Sequence, residues 1–188
     1  MLKIALSAIC GVVVITSALV FFEAGVFDRV KLIEEQRGPY NLVYKEYFGS
    51  YSAVGPRIKT VHQYLSDVKK VENIKGGFAL FYDNPIKKGD DSLRSICGVI
   101  TDSVISVESP YKSSVYGKSY CIVGKYPLRS YFSYMTGIYK IYSSLEKYAK
   151  TKNISISGPV MEMIDTNKKY IYYVSSVSST AVVPVYGK

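Results

Sequence analysis

The chain has 188 residues, 48% of them hydrophobic, and 24 Lys and Arg against 15 Asp and Glu give it a formal charge of +9. That hydrophobic share, without low-complexity stretches, excludes a disordered chain, and the length suits one cored domain rather than two. The basic charge is scattered in pairs such as Lys69-Lys70, Lys87-Lys88 and Lys168-Lys169, with no recognition motif or basic helix stripe, which argues against nucleic acid as a partner.

Taken in chain order, the first element is Ile4 to Phe22 (IALSAICGVVVITSALVFF), 19 residues without a charge. At roughly 1.5 Å per helical residue this run is about 28 Å long, near the ~30 Å hydrocarbon core of a bilayer. It predicts a single-pass signal-anchor helix over residues 1–23, with the membrane as partner. A cleaved signal peptide is the competing reading, but the run is long for a signal core and Phe22-Glu23-Ala24 lacks a small-x-small cleavage pattern. Arg29, Lys31 and Arg37 follow the run against Lys3 before it, which places the C-terminal domain in the cytosol by the positive-inside rule. Of Cys10, Cys97 and Cys121, the last two could pair in an oxidising lumen, but two thiols are poor evidence for a disulfide scaffold. Asn153-Ile154-Ser155 is a glycosylation sequon usable only by a lumenal domain.

Residues 24–38 read as a juxtamembrane connector. Val26, Val30 and Ile33 recur at helical spacing, so the anchor helix is expected to continue to Gly38-Pro39. Tyr40 to Phe48 is a strand by composition, and Gly49 to Pro56 a loop. Ile58, Val61, Leu65 and Val68 form a helical stripe that ends before Gly76-Gly77. Phe78 to Tyr82 and Arg94 to Thr101 follow as strands. The order then returns. Ser119 to Tyr126 is a strand, and Ile138, Ile141, Tyr142, Leu145 and Tyr148 stripe a longer helix ending near Asn153. Val160 to Ile164 and Tyr170 to Val174 make a hairpin around Asp165-Thr166-Asn167. Each half, about 39–102 and 118–178, is strand, helix, strand, strand. Two such units would share an α+β fold: an antiparallel sheet, both helices on one face, and a groove between the halves on the other.

This duplicated unit resembles the gyrase-inhibitor-like (GyrI-like) ligand-binding domains, here over residues 39–188. The order of short motifs is similar to that of their membrane-anchored eukaryotic branch, endoplasmic-reticulum autophagy receptors. The motifs are Tyr44-Lys45 with Gly49-Ser50-Tyr51, Phe81-Tyr82-Asp83-Asn84-Pro85, Cys97-Gly98-Val99-Ile100, Tyr126-Pro127, Leu145-Glu146-Lys147-Tyr148 and Met161-Glu162-Met163. The resemblance implies a receptor-like adaptor of the endoplasmic reticulum, its domain facing the cytosol, with autophagy machinery as protein partner. It also implies a tethered small-molecule sensor as the alternative. The chain ends at Lys188 without the receptors' long tail and its docking motif. Tyr40-Asn41-Leu42-Val43 and Tyr51-Ser52-Ala53-Val54 fit that aromatic-x-x-aliphatic pattern formally, but lie in or beside structured elements and lack preceding acids.

Glu162 is the leading candidate site residue. It alternates with Val160 and Ile164 on a strand and so shares their face, where it is either an exposed edge carboxylate or turned into the groove. In the resembled domains a Glu at this position faces the pocket and pairs with cationic ligands; a desolvated carboxylate ringed by Tyr attracts organic cations by charge and cation–π contact. Tyr44, Tyr82 and Tyr120 are candidate pocket walls or else ordinary core and surface aromatics among the 19 Tyr. His62 has no metal-ligating neighbour at the right spacing, and Asp90-Asp91 reads as a solvated loop, so no metal site is expected. Cys97 reads as a buried strand thiol. No G-x-S-x-G, Walker A, H-E-x-x-H or C-x-x-C motif occurs, so the expectation is a binding protein with no cofactor and no catalytic residues.

Overall fold

A computed structural model describes residues 2–85, 87–156, 158–165, 169–177 and 182–187, with side chains from residue 9 onward. The uncharged N-terminal run is helix α1 (Leu2–Glu23), and its side chains from Ile9 to Phe22 are exposed all round. The expected bilayer span is not met among the described residues: no helix there is long and apolar enough to cross a membrane.

The helical continuation to Gly38-Pro39 does not form. Gly25 takes φ +69°, a left-handed turn that ends α1, and Lys31–Arg37 is instead strand β1. Its neighbour β6 (Ser119–Pro127) has one ladder of hydrogen bonds otherwise open, and the two pair antiparallel from Lys31↔Lys125 to Arg37↔Ser119. Val30 and Leu32 then bury against the second half, while Ile33 faces solvent. The helical spacing of the apolar residues is outweighed by that free edge.

The two-unit pattern is present. The first half is β2 (Tyr40–Phe48), α2 (Val54–Gln63), β3 (Ile74–Phe81) and β4 (Arg94–Thr101). The second is β6, α3 (Tyr131–Lys152), β7 (Val160–Asp165) and β8 (Tyr170–Ser176). Thr166 and Asn167 of the expected hairpin turn, and Lys168, lie outside the described residues. A short strand not expected from the sequence, β5 (Lys112–Tyr116), pairs with β2; its polar KSSVY pattern gives little signal. All pairings are antiparallel, in the order β1-β6-β8-β7-β3-β4-β2-β5. The β3–β7 pair joins the halves, and each half repeats the order first strand, third strand, second strand outward-in.

Connection lengths force this sheet to curl. β5 and β6 are separated by six strand spacings, about 29 Å in a flat sheet. Only Gly117 and Lys118 join them, a reach of about 11 Å. β1 and β2 impose the same closure through Gly38 and Pro39. The inward face is therefore largely filled: Leu42, Phe78, Leu80, Tyr116, Met161 and Val174 are among its fully buried side chains. The expected groove opposite the helices is reduced to a cavity of about 560 Å³ lined by Tyr40, Ile100, Met163 and Tyr172 from both halves. Gly98 makes the tight curl feasible, because a Cβ there would lie 2.0 Å from the Val43 carbonyl oxygen. Both helices lie on the outer face as expected. α2 packs through Val54, Ile58, Val61 and the following Leu65, and α3 through Ile138, Ile141 and Leu145. They leave a cleft above the β3–β7 seam.

Candidate functional site

Strand alternation turns Val160, Glu162 and Ile164 of β7 toward the outer, helix-covered face, as their spacing predicts. The register sets Glu162 between Ala79 of β3 and Tyr173 of β8. Ala79 is small enough to leave room over the seam, and Cys97 lies one strand further on. From above, α3 contributes Tyr134 and Tyr142, eight residues apart and so near one face of the helix. A Ser130 capping box fixes where α3 begins: Ser133 N donates to Ser130 Oγ at 3.2 Å and Ser130 N to Ser133 Oγ at 2.9 Å.

The result is a sealed polar cluster. Glu162 is 0% exposed, and neither of its oxygens has a hydrogen-bond partner among the described residues. The hydroxyls of Tyr134, Tyr142 and Tyr173 are equally buried and unpartnered. No described Lys or Arg forms an ion pair with Glu162. Burial pushes its carboxyl up to about 8; the Tyr134 and Tyr173 hydroxyls oppose this from nearby without closing to hydrogen-bond geometry. Burial also holds the three phenols well above their ordinary range. An unpaired buried carboxylate costs several kcal/mol, so Glu162 is held as the neutral acid at neutral pH. A cation entering the cluster would reverse that balance, supplying the missing charge while the phenol faces supply cation–π contact.

Openings lie at both ends of this cleft. Beyond Val160, a cavity of about 720 Å³ is lined by Tyr142, Leu145, Ile154 and Ile156, with Lys87 and Lys150 on its rim. Beyond Ile164, one of about 480 Å³ lies against α2, lined by Ile58, His62, Gly77 and Val99. Tyr142 belongs both to the wall of the larger cavity and to the Glu162 cluster.

The structure does not bring the other candidate residues to Glu162. Tyr44 and Tyr82 belong to the inward face of the sheet, where the Tyr82 hydroxyl donates to Pro184 O at 2.7 Å. Tyr120 lies on the surface and donates to Glu34 Oε2 at 2.9 Å. The aromatics that surround Glu162 are Tyr134, Tyr142 and Tyr173. The β7–β8 register, which a hairpin centred on Asp165-Thr166-Asn167 would not give, pairs Glu162 with Tyr173. Tyr142 is in the apolar stripe of α3, but nothing local shows that its hydroxyl meets a carboxylate.

Cys97 is buried, and burial pushes its thiol up to about 12. Asp83 accepts hydrogen bonds from Arg94 N at 2.8 Å, Arg94 Nε at 3.0 Å and Lys88 Nζ at 2.9 Å. These partners hold it well below the usual carboxylate range and mark it as a turn anchor. No group of His, Cys, Asp and Glu able to hold a metal occurs among the described residues. Leu42, Val43 and Val54 of the two formal docking motifs are buried, which denies both motifs to a partner.

No protein-family model matches the chain, and no curated protein is similar to it in sequence. Solved structures do share its fold. EcmrR, in its complex with DNA, superposes with a TM-score of 0.62 at 9% identity, over 94% of this chain and 69% of that one. The EcmrR C-terminal domain gives 0.57 at 15% identity, over 79% and 96%. SAV2435, solved bound to tetraphenylphosphonium, gives 0.52 at 13% identity, over 79% and 94%. None of these matches bears on a membrane-anchored autophagy receptor. What they establish is the fold alone, an antiparallel α+β architecture shared with the EcmrR C-terminal domain and SAV2435.

Proposed function

We propose that this domain binds small lipophilic cations, with Glu162 as the counter-ion and Tyr134, Tyr142 and Tyr173 as the aromatic walls. The observation that carries the proposal is the buried carboxylate with both oxygens unpartnered among three unpartnered phenol hydroxyls. Burying a carboxylate among phenol hydroxyls without a cationic partner is costly, and a bound organic cation would offset that cost. The capture of tetraphenylphosphonium by SAV2435, which shares the fold, supports the choice of ligand class. Binding rather than catalysis fits the cluster, which offers no nucleophile with an adjacent base and whose thiol stays protonated. Thermal unfolding with tetraphenylphosphonium as probe tests it. The wild-type melting temperature rises with ligand concentration, and Glu162→Gln abolishes the rise. An equal rise in the variant would remove Glu162 from the site.

A second reading concerns α1, whose exposed apolar surface supports attachment of the domain to a membrane. The endoplasmic reticulum as that membrane, with the domain in the cytosol, rests on the resemblance and on the flanking charges. Translation with microsomes followed by external protease tests it. Digestion of the domain with Asn153 unglycosylated supports the cytosolic side, and protection or glycosylation refutes it.

A further inference from the structure

We infer that the end of the domain next to α1 docks onto an anionic lipid surface through Phe22, Phe27, Tyr131 and Phe132. This rests on the reading that α1 enters a membrane, and adds that the folded domain itself lies against the headgroups in a fixed orientation.

The junction between α1 and the domain is rigid rather than a hinge. Lys140 Nζ donates to the carbonyls of Gly25, Val26 and Asp28 at 3.0, 2.6 and 2.7 Å. The Tyr126 hydroxyl donates to Gly25 O at 2.6 Å. Arg129 holds both carboxylate oxygens of Asp28 and lies over the Phe22 ring at 4.8 Å. Ser130 Oγ donates to Glu23 O at 3.1 Å, so the start of α3 is stitched to the last turn of α1. Charged donors to several carbonyls at once resist bending far better than a flexible linker does.

Tyr131 and Phe132 follow Ser130 directly. They are 58% and 67% exposed, with rings in edge contact at 6.2 Å. Phe22 and Phe27 add 53% and 70% exposure at the same junction. Single exposed apolar residues are ordinary, but four exposed aromatics on the two stitched segments at the exit of an apolar helix are not. Exposed Arg29, Lys31 and Lys169 accompany it, with Lys169 beside Phe22 and Arg129 in one surface depression. Aromatic rings with flanking cations match the chemistry of a bilayer interface.

The chain has no Trp, so a single Trp reports position without background. Full-length Val14→Trp, Phe132→Trp and Phe48→Trp would each be reconstituted into vesicles of phosphatidylcholine and phosphatidylserine with brominated acyl chains. Phe48 is an exposed residue of the first half at the opposite strand ends from Tyr126. The expected result is strong quenching of Val14→Trp, partial quenching with a blue shift for Phe132→Trp, and none for Phe48→Trp. Omitting phosphatidylserine would weaken the quenching of Phe132→Trp alone. If Val14→Trp is quenched while Phe132→Trp matches Phe48→Trp, the helix inserts and the docking inference is overturned. If Val14→Trp is unquenched, the membrane reading fails and the docking inference with it.

Discussion

Replacing Glu162 by Gln keeps the shape of the side chain and removes its titration, so the stability difference between the two proteins should depend on pH in a fixed way. The carboxyl has an ordinary value of 4.5 and is raised to about 8 in the fold. Between those limits the unfolded chain has lost the proton and the folded chain still holds it. Folding therefore takes up a proton, and wild-type stability falls as pH rises, by about 1.4 kcal/mol per pH unit. The contribution is fully present below pH 4.5 and is lost as pH climbs through 8. By pH 7 the wild type has given up about 3 kcal/mol that the Gln variant keeps. For a chain of this size that is a melting-temperature difference of about 10 °C. Other carboxylates, Asp83 among them, titrate alike in both proteins and cancel. Urea unfolding of both proteins at pH 4.5, 6, 7 and 8 gives the difference directly. A gap that does not change with pH, or a variant less stable than wild type at pH 8, would show that Glu162 is solvated or paired and would refute the buried-acid reasoning.

Three further outcomes are expected. Tetraphenylphosphonium must bind the ionised form of Glu162, so its affinity rises about tenfold per pH unit from pH 5 toward 8 and then levels; calorimetry in two buffers of different ionisation heat should also detect the released proton. Gly98→Ala places a Cβ 2.0 Å from the Val43 carbonyl oxygen, forcing β2 off β4 at a cost of about 2 kcal/mol or more; unchanged thermal stability would mean the two strands pass less closely than described. Lys140→Met removes the charged donor shared by three carbonyls of the α1 junction, leaving Gly25 O with the Tyr126 hydroxyl alone, and costs about 2 kcal/mol, seen as faster proteolysis at residues 24–30 before the core is cut.

Much of the fold is legible from local pattern because its elements are locally encoded. β2 and β4 match their expected limits, and α3 ends where the stripe fails, at Asn153 in a left-handed cap. The doubling of strand, helix, strand, strand is visible because each unit carries its own periodicity. β1 and β5 are not legible in that way. Residues 24–38 carry Val26, Val30 and Ile33 at helical spacing, yet Lys31–Arg37 becomes a strand because β6 has an open edge, and β5 is too short and polar to signal itself. Both depend on partners distant in sequence.

The site divides along the same line. The amino-acid sequence determined that Glu162 would share a face with Val160 and Ile164, since alternation on a strand is a local rule. Only the tertiary structure decided that this face lies beneath α3, that the closure of β5 onto β6 largely fills the opposite side, and that Tyr44 and Tyr82 therefore pack away from the carboxylate. The choice of Tyr134, Tyr142 and Tyr173 as its neighbours depends on where a helix crosses a sheet. No local pattern carries that information, because the crossing is set by how side chains far apart in the chain fill one shared volume.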